Sequence, residues 1–540
     1  MTEGHLKSMP EWRQLTEHAR RMALPENYLK HLVKQKNRLE NFLIREGGLF
    51  YDFTRQRIDE QVLKGLVNLA KARKIRQRFN QMMTGEQVNT TENRAALHTA
   101  TRNFSDNPVM SNNMDVMPDM RRIRDEIRNF SAAIHSGKIK CANGSLFKDV
   151  VIIGIGGSYL GTEFAATALW NLADKGIKLH FLSNVDIDNF GAIVGCIVPE
   201  TTLWVVVSKS YTTAETLANT RQVLQFLDQK GLDAKDHIVT VTSKGSPGDD
   251  PSNPVLKSFH MFDFIGGRYS VTSAVGGVPL SLYLGYDRFE NFLKGAEVMD
   301  IHANTAPEEE NLPLIAALIS VWNNNFLGYP AQGLIPYSSA LSRLAAHIQQ
   351  LSMESNGKSV SRHGEVVDLP CGSIIFGEPG TNAQHSFFQL AHQGRPFPIE
   401  FIGVVNPYHK EYPGKSKGVT NHQELWANLI AQPQALAEGK DDSNPAKCFS
   451  GNRPSSTLLI NDLSPENIGR LLAFYEAKTV FEAFIWDINP FDQYGVELGK
   501  TMAGAIRNEI AEKNKNPDYQ FDNRDPVRKF YLDVLFNKKI

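Results

Sequence analysis

The fold is decided by residues 149–161, which read Asp149-Val150-Val151-Ile152-Ile153-Gly154-Ile155-Gly156-Gly157-Ser158-Tyr159-Leu160-Gly161. The apolar run Val150–Ile153 predicts a short buried strand, and the stretch Tyr159–Leu172 predicts a helix after the glycines. Glycines in such a turn let backbone N–H groups approach an anion at the positive end of the helix. The turn therefore favours an anion site, with a tight strand-to-helix turn that binds nothing as the alternative.

The glycines do not complete a dinucleotide-binding fingerprint. Counted from Gly154, the pattern GxGxxG requires a glycine where Tyr159 stands. The acidic residue that would bind a ribose, Asp174, falls in a predicted helix-to-strand connection and not at the end of a second strand. We therefore expect no nicotinamide or other cofactor.

Strand-length apolar runs alternate with helix-length segments along most of the chain, in two series separated by a largely helical segment, 286–330. Ser464-Pro465 predicts the N-cap and first residue of a long helix that runs to Trp486. The alternation predicts an α/β protein with two units, each a mostly parallel sheet flanked by helices. The predicted strands are Val150–Ile153, Lys178–Leu182, Leu203–Val207, Ile238–Val241, Gly333–Ile335, Ser373–Phe376, Ile399–Val405 and Thr457–Ile460.

Residues 1 to about 135 are predicted to be helical. Apolar residues at helical spacing continue through Leu39, Phe42 and Leu43, and Thr91–His98 has the pattern of a capped helix start. The predicted regions are a helical N-terminal region that packs on the larger domain, 1–115, a smaller α/β domain, 116–285, a larger α/β domain, 286–505, and a charged C-terminal arm, 506–540.

Composition excludes several function classes. The 540 residues include 58 basic and 59 acidic side chains, so the formal net charge of −1 gives no electrostatic case for nucleic acid or anionic membrane as a partner. Apolar runs such as Leu203–Val207 are far too short to span a bilayer, and the N-terminus lacks a signal-peptide pattern. The cysteines, 4 in number and widely spaced, are expected to be reduced thiols of a cytoplasmic protein.

A second polar turn follows the predicted strand Leu203–Val207. It reads Ser208-Lys209-Ser210-Tyr211-Thr212-Thr213-Ala214-Glu215-Thr216, with hydroxyls and one lysine clustered where a helix begins. Hydroxyl and backbone donors at the positive end of a helix make a phosphate cradle with few formal charges. A serine- and threonine-rich N-cap is the alternative, and a second anion-binding turn in the same unit favours the phosphate.

Separate segments supply candidates for moving protons. Glu354, which follows a predicted helix, Ser338–Leu351, is a carboxylate that could act as a base. His385 lies after a strand and a turn, where a helix would start, and is an acid/base candidate. Arg268 follows Gly266-Gly267, whose flexibility favours an arginine that faces a ligand. Each of these residues has a plain surface role as its alternative.

Two further features concern Gln493 with Lys500 and His363-Gly364-Glu365. The amide and the ammonium are seven residues apart and are predicted to share about one face of a helix. The histidine and glutamate lack further ligands at suitable spacing, so we predict no metal site.

Five of these segments together resemble the glucose-6-phosphate isomerase family, in the same order along the chain. The most specific are Asp263–Ser270, which reads Asp-Phe-Ile-Gly-Gly-Arg-Tyr-Ser, and Asn489–Lys500, which reads Asn-Pro-Phe-Asp-Gln-Tyr-Gly-Val-Glu-Leu-Gly-Lys. The others are Ser208–Thr216, Met353–Lys358 and Gly380–Gly394. The resemblance runs from about residue 90 to residue 500, with a loose match before it and no recognised pattern in Thr501–Ile540.

The resemblance implies two sugar-isomerase domains, a homodimer, and reversible conversion of glucose 6-phosphate to fructose 6-phosphate in glycolysis and gluconeogenesis. It implies that Glu354 moves a proton between C2 and C1 through a cis-enediol(ate), that Arg268 stabilises the developing negative charge, and that His385, from the neighbouring subunit, and Lys500 assist ring opening. The implied substrate-binding residues are Gly157, Ser158, Ser208, Lys209, Thr212 and Thr213 at the phosphate, and Glu215, Gln350 and Gln493 at the sugar.

Two other function classes remain open at this point. A sugar-phosphate-sensing protein could keep the phosphate cradle and lose the base, but Glu354, His385, Lys500 and Arg268 are all present. An NAD-dependent oxidoreductase is disfavoured by the incomplete glycine pattern. An isomerisation that needs one base, one electrophile for the oxyanion and one phosphate anchor agrees with the full set of residues.

Overall fold

A computed structural model describes residues 6–252, 254–412, 414–522 and 524–540. The chain divides into two units, residues 1–491 and residues 492–540. The two larger sheets lie in the first unit, and the predicted domain boundaries at 115, 285 and 505 stay a prediction.

The first part of the chain is helical with two short hairpins. Its elements are α1 (Pro10–Met22), α2 (Leu29–Leu32), α3 (Arg38–Asn41), β1 (Leu43–Glu46), β2 (Leu49–Asp52), α4 (Glu60–Ala72), α5 (Ile75–Thr84), β3 (Met110–Ser111), β4 (Met114–Asp115) and α6 (Met117–His135).

The middle of the chain alternates between strands and helices, as predicted. Its elements are β5 (Asp149–Ile153), α7 (Leu160–Ala168), β6 (Lys178–Leu182), α8 (Ile187–Val194), β7 (Thr202–Val207), α9 (Ala214–Gln229), α10 (Ala234–His237), β8 (Ile238–Ser243), β9 (Lys257–Met261) and α11 (Ala274–Leu284).

The strands of this region form a parallel sheet in the order β6-β5-β7-β8-β9. Every residue of β5 and β7 is buried, because helices cover both faces of a parallel sheet. Such strands read as continuous apolar runs, which is why the sequence predicts both. The edge strand β9 was missed, since Lys257, Ser258 and His260 interrupt its apolar residues.

The remainder of the first unit holds α12 (Tyr286–Thr305), α13 (Leu312–Val321), β10 (Ala331–Tyr337), α14 (Leu344–Asn356), β11 (Ile374–Phe376), α15 (Phe388–Gln393), β12 (Ile399–Val404), β13 (Lys415–Ser416), β14 (Val419–Thr420), α16 (Asn421–Glu438), β15 (Ser455–Ile460) and α17 (Pro465–Trp486). The predicted cap of α17 is confirmed, since the Ser464 side chain accepts from the Asn467 backbone N–H and Pro465 begins the helix. The predicted α/β fold class, with two mostly parallel sheets flanked by helices, is confirmed.

The second sheet has the order β1-β2-β15-β12-β10-β11. The strands β11, β10, β12 and β15 run parallel to one another, and the β1–β2 hairpin adds antiparallel to β15. The prediction that Leu43 continues a helix is therefore wrong. Gly47 and Gly48, both with positive φ, close a two-residue hairpin turn that the helical reading overlooked.

Two further helix predictions need correction. Residues 91–97 form turns and an isolated bridge, and only a 3₁₀ turn, His98–Arg102, follows, so the predicted helix start at Thr91 is wrong. Gln493 precedes α18 (Glu497–Lys515), so it does not share a helix with Lys500. The second unit contains α18 and α19 (Pro526–Asn537). None of the described helices is long and apolar enough to cross a membrane.

The core of the first unit contains a buried charge cluster where α17 packs on α12. Arg102 is fully buried and binds Asp300 through Nε and Nη2, at 2.7 and 2.8 Å, and Glu476 through Nη1 at 2.5 Å. Burial raises the pKa of Glu476 to about 7, although Arg102 opposes the rise. One buried guanidinium thus holds two buried carboxylates together in the core.

Replacing Arg102 with methionine is expected to lower the free energy of unfolding by about 3–5 kcal/mol at pH 8, because two buried carboxylates lose their counter-charge. The pKa of each carboxyl then rises further above its unfolded value, so the folded variant binds protons that the unfolded chain does not. Its stability therefore falls as pH rises, and the deficit relative to the parent is expected to be smaller at pH 5.5. Urea unfolding at both pH values measures this.

The control is Arg122→Met, which removes an exposed arginine that pairs with Asp119 and Glu126 on the surface of α6. The free energy of unfolding of Arg122→Met is expected to be lower than that of the parent by less than about 1 kcal/mol at both pH values. Equal losses for the two variants would show that the Arg102 cluster does not stabilise the core in this way.

Candidate active site

The two polar turns predicted from the sequence leave neighbouring strands at the same edge of the first sheet. β5 pairs with β6 on one side and with β7 on the other, so the chain order reverses between β5 and β7. Residues 154–158 follow β5 and residues 208–213 follow β7. Ligands of open α/β sheets bind outside the carboxyl ends of the strands at such a switch point.

Gly157 sets the position of the first turn. It lies in a 3₁₀ turn, Gly156–Ser158, against the backbone of Gly267 and Arg268. A Cβ atom on Gly157 would lie 2.2 Å from the Gly267 carbonyl carbon and 2.5 Å from the Arg268 nitrogen. Only glycine permits this approach, which brings the predicted phosphate turn against the loop that carries Arg268.

The second turn offers unused hydrogen-bonding capacity. Ser208 is buried, and its Oγ has no hydrogen-bond partner among the described residues. The Ser210 and Thr212 hydroxyls lie 2.6 Å apart at the start of α9, and Thr213 occupies the N-cap without a capping bond from its side chain. A buried donor without a partner costs free energy unless a ligand or water satisfies it.

Lys209 supplies the positive charge of this turn. Its ammonium donates to the Asp263 carbonyl at 2.7 Å, and burial, followed by the nearby Arg94, lowers the pKa of Lys209. Ser158, in the turn after β5, and Glu215, in the first helical turn of α9, are both half-buried. The cradle thus combines hydroxyls, helix amides and a single ammonium.

Arg268 is buried, with its guanidinium held on three sides. Nε donates to the Ser355 hydroxyl at 2.6 Å, Nη2 donates to the Pro490 carbonyl at 2.5 Å, and Nη1 lies 3.5 Å from Glu354 Oε2. The hydroxyl of Tyr269 also bonds Ser355, at 2.9 Å. A guanidinium fixed in this way is preorganised to stabilise an oxyanion.

Glu354 lies in the last turn of α14, whereas the sequence predicts that it follows the helix. One turn earlier, Gln350 Nε2 donates to Glu354 Oε2 at 3.0 Å. The Oε1 atom of Gln350 is buried without a hydrogen-bond partner among the described residues. A Cβ on Gly156 would lie 3.0 Å from Gln350 Nε2, so this glutamine lies between the carboxylate and the first turn.

The remaining predicted residues are His385, Gln493 and Lys500. His385 ends a 3₁₀ turn, Ala383–His385, and is exposed, with no side-chain hydrogen bond or ion pair to the parts of the chain that the structure describes. Gln493 and Lys500 belong to the second unit, where Lys500 is exposed and lies 3.0 Å from Glu497.

The sequence reading missed a segment that packs against the site. Arg94 donates to the Asp263 carbonyl at 3.2 Å, the same carbonyl that Lys209 binds, and pairs with Glu92. The buried His98 ring stacks on Tyr269 with ring centroids 4.7 Å apart. The pattern of Thr91–His98 predicts a helix start, and nothing in it indicates that this segment packs against a loop about 170 residues away.

The arrangement suits acid–base chemistry on an anion. A carboxylate and a fixed guanidinium lie side by side, next to two turns whose donors are open to a phosphate. No group of His, Cys, Asp and Glu in the described ranges is arranged to hold a metal ion.

Comparison with known proteins places this geometry in a family. The family model for phosphoglucose isomerase matches residues 52–524. The glucose-6-phosphate isomerase of Desulfosudis oleivorans is 62% identical over 542 residues, covering 100% of this chain and 99% of that protein. The cytosolic glucose-6-phosphate isomerase of Arabidopsis thaliana is 43% identical, with 92% of each chain covered.

A solved structure agrees. The crystal structure of a glucose-6-phosphate isomerase from Chlamydia trachomatis superposes with a TM-score of 0.90 at 38% identity, covering 98% of this chain and 100% of that one. The family model extends on both sides of the stretch 90–500, and the Desulfosudis oleivorans relative covers the whole chain, which corrects the prediction that Thr501–Ile540 departs from the family pattern. The chain belongs to the phosphoglucose isomerase family.

Proposed function

We propose that this protein interconverts D-glucose 6-phosphate and D-fructose 6-phosphate in the cytosol, as an enzyme of glycolysis and gluconeogenesis, without a cofactor. The observation that carries the proposal is the Glu354 carboxylate 3.5 Å from the buried Arg268 guanidinium, beside the switch-point turns. Relatives from Arabidopsis thaliana and Spinacia oleracea, both named cytosolic, support the location.

The phosphate is proposed to bind across the two turns. Ser208, Lys209, Thr212 and Thr213 donate from one turn, and Ser158 with the Gly157 backbone donates from the other. Most of these donors are neutral, so the phosphate is held mainly by hydrogen bonds whose directions fix its position. Binding energy at the phosphate then positions the sugar carbons at the reacting groups.

Proton transfer follows from the relative positions of Glu354 and Arg268. The Glu354 carboxylate removes the proton from C2 of the open-chain aldose, and the C–H electron pair becomes the C1–C2 double bond as negative charge moves onto O1. Arg268 stabilises this cis-enediolate. Return of the proton from Glu354 to C1, with transfer of the O2 proton to O1, gives the ketose with its C2 carbonyl, so no hydride or electron leaves the substrate.

The other roles come from family membership. Gln350, Glu215 and Gln493 are proposed to line the sugar, while His385 and Lys500 assist ring opening by proton transfer at the ring and C1 oxygens. His385 is exposed, and its side chain has no hydrogen bond or ion pair to the described parts of its own chain. We therefore propose a homodimer in which His385 of one subunit completes the site of the other.

Glu354→Gln is expected to lower kcat by about 10²–10⁴-fold, because the base is removed while the hydrogen bond from Gln350 can persist. A coupled dehydrogenase assay of fructose 6-phosphate conversion measures the loss. Inhibition by inorganic phosphate is expected to remain at the parent level. Glu365→Gln, in the exposed loop after α14, is the control and keeps full activity. Phosphate binding without activity in the parent would favour a sensing protein, and activity surviving in Glu354→Gln would assign the base elsewhere.

Ser208→Ala is expected to raise the KM for fructose 6-phosphate and the inhibition constant of inorganic phosphate about 10- to 100-fold, through loss of one hydrogen bond to a charged group. Stability is expected to be unchanged, because the Ser208 hydroxyl has no partner among the described residues. The matched control is Ser281→Ala, another buried serine whose hydroxyl lacks a described partner, on α11. Unaltered phosphate inhibition in Ser208→Ala would remove this hydroxyl from the cradle.

Subunit mixing tests the shared site. Glu354→Gln and His385→Ala dimers are each expected to be inactive. A hybrid dimer regains one site with both residues intact, so random reassociation of equal amounts is expected to restore about a quarter of the parent activity. Unfolding each variant with urea, mixing and refolding, against each variant refolded alone, provides the measurement. No recovery, with hybrids verified by mass, would mean that each subunit uses its own His385.

A further inference from the structure

The last turn of α14 presents three successive residues to three different surroundings. The Glu354 side chain is 21% exposed, whereas Ser355 and Asn356 are fully buried. Ser355 accepts from Arg268, as described above. Asn356, the last residue of the helix, has a partner on another element that the reaction scheme does not use.

That partner is Glu482, on α17. Asn356 Nδ2 donates to Glu482 Oε2 at 2.7 Å, and Lys478 Nζ donates to Glu482 Oε1 at 2.6 Å. Lys478 and Glu482 lie one turn apart on the same helix, and their side chains are 7% and 2% exposed. Each carboxylate oxygen thus has its own donor, one a cation of the same helix and one the end of α14.

Stability alone is a poor reason for a buried ion pair at this place. Removing two charges from water costs several kcal/mol each, and well-packed apolar residues often replace such pairs at no loss. What apolar residues cannot provide is an acceptor for the Asn356 amide. The Lys478 ammonium donates to one oxygen of the Glu482 carboxylate and holds it in place, so that the second oxygen stays aimed at Asn356.

The geometry of a helix converts this bond into control of Glu354. A side chain extends about 5–6 Å from the helix axis, so a rotation of the last turn by about 10° moves a carboxylate by about 1 Å. A displacement of that size at a reacting group costs about 10²-fold in rate. The helix ends without a left-handed glycine cap, since Gly357 has φ −75°, so buried side chains of the last turn fix its orientation.

We propose that Glu482, held by Lys478, is a positioning residue that acts through Asn356 to orient the base Glu354. The inference rests on the proposed isomerase function. It assigns no contact between Glu482 and the substrate, and it requires the effect to fall on the chemical step and not on phosphate binding.

A matched pair of double variants separates the acceptor from the charge. Lys478→Met with Glu482→Gln keeps an oxygen acceptor for Asn356, and Lys478→Met with Glu482→Leu removes it at similar volume. Both double variants lose the Lys478 charge near the buried Glu400 equally, so their difference reports the acceptor alone. The glutamine pair is expected to keep kcat within about threefold of the parent, and the leucine pair to lose about 10- to 100-fold. KM and the inhibition constant of inorganic phosphate are expected to be equal in both. Equal kcat values, or a change in KM alone, would overturn the proposal.

Asn356→Ala keeps the Lys478–Glu482 ion pair and removes the hydrogen-bond donor. It serves as the alternative test if thermal unfolding shows that either double variant is not folded. It is expected to lose kcat about 10- to 100-fold at unchanged KM. Parent-level kcat in Asn356→Ala would overturn the positioning role while leaving the isomerase function intact. Absence of isomerase activity in the parent would overturn the function, and this inference with it.

Discussion

The site depends on the backbone contact between Gly157 and the Gly267–Arg268 peptide. Because no Cβ atom separates them, the turn after β5 lies directly on the loop that carries the guanidinium. This contact ties the proposed phosphate cradle, on the first sheet, to Arg268, and Arg268 in turn reaches Ser355 and Glu354 on α14. A side chain at position 157 would push the proposed phosphate turn away from the loop that carries Arg268.

The helix α17 places charged side chains in the core beside this site. α17 is buried along almost its whole length and yet carries Glu476, Lys478 and Glu482, each with a specific partner. Glu476 accepts from the buried Arg102. Lys478 donates to Glu482, and Glu482 accepts from Asn356 at the end of α14. Apolar residues in place of Lys478 and Glu482 would pack as well, but they would offer no hydrogen-bond acceptor to Asn356.

The sequence could predict what local pattern encodes. β5 and β7 are continuous apolar runs because both faces of a parallel sheet are covered, and the turns that follow them, at the carboxyl edge of the sheet, are polar. The helical spacing of Leu39, Phe42 and Leu43 predicts a helix where the β1–β2 hairpin begins, although Gly47-Gly48 between alternating residues is a hairpin signal. The packing of Arg94 and His98 against Asp263 and Tyr269 joins distant segments, which no local pattern encodes.

Topology alone does not explain why the first sheet carries the site, since the second sheet also reverses chain order, between β10 and β12. Several groups near the carboxyl ends of these strands are satisfied internally. The Trp426 indole donates to the Val404 carbonyl, the His422 ring lies 3.1 Å from the Val405 carbonyl, and Gln384 donates to the Tyr337 hydroxyl.

At the first switch point the situation is the reverse. The Ser208 hydroxyl and the Gln350 side-chain oxygen are buried and have no partner among the described residues. A buried polar group without a protein partner costs free energy, so it requires a hydrogen bond from a ligand or water. The difference between the two sheets therefore lies in which polar groups are left unsatisfied, since a shared topology permits a site but does not make one.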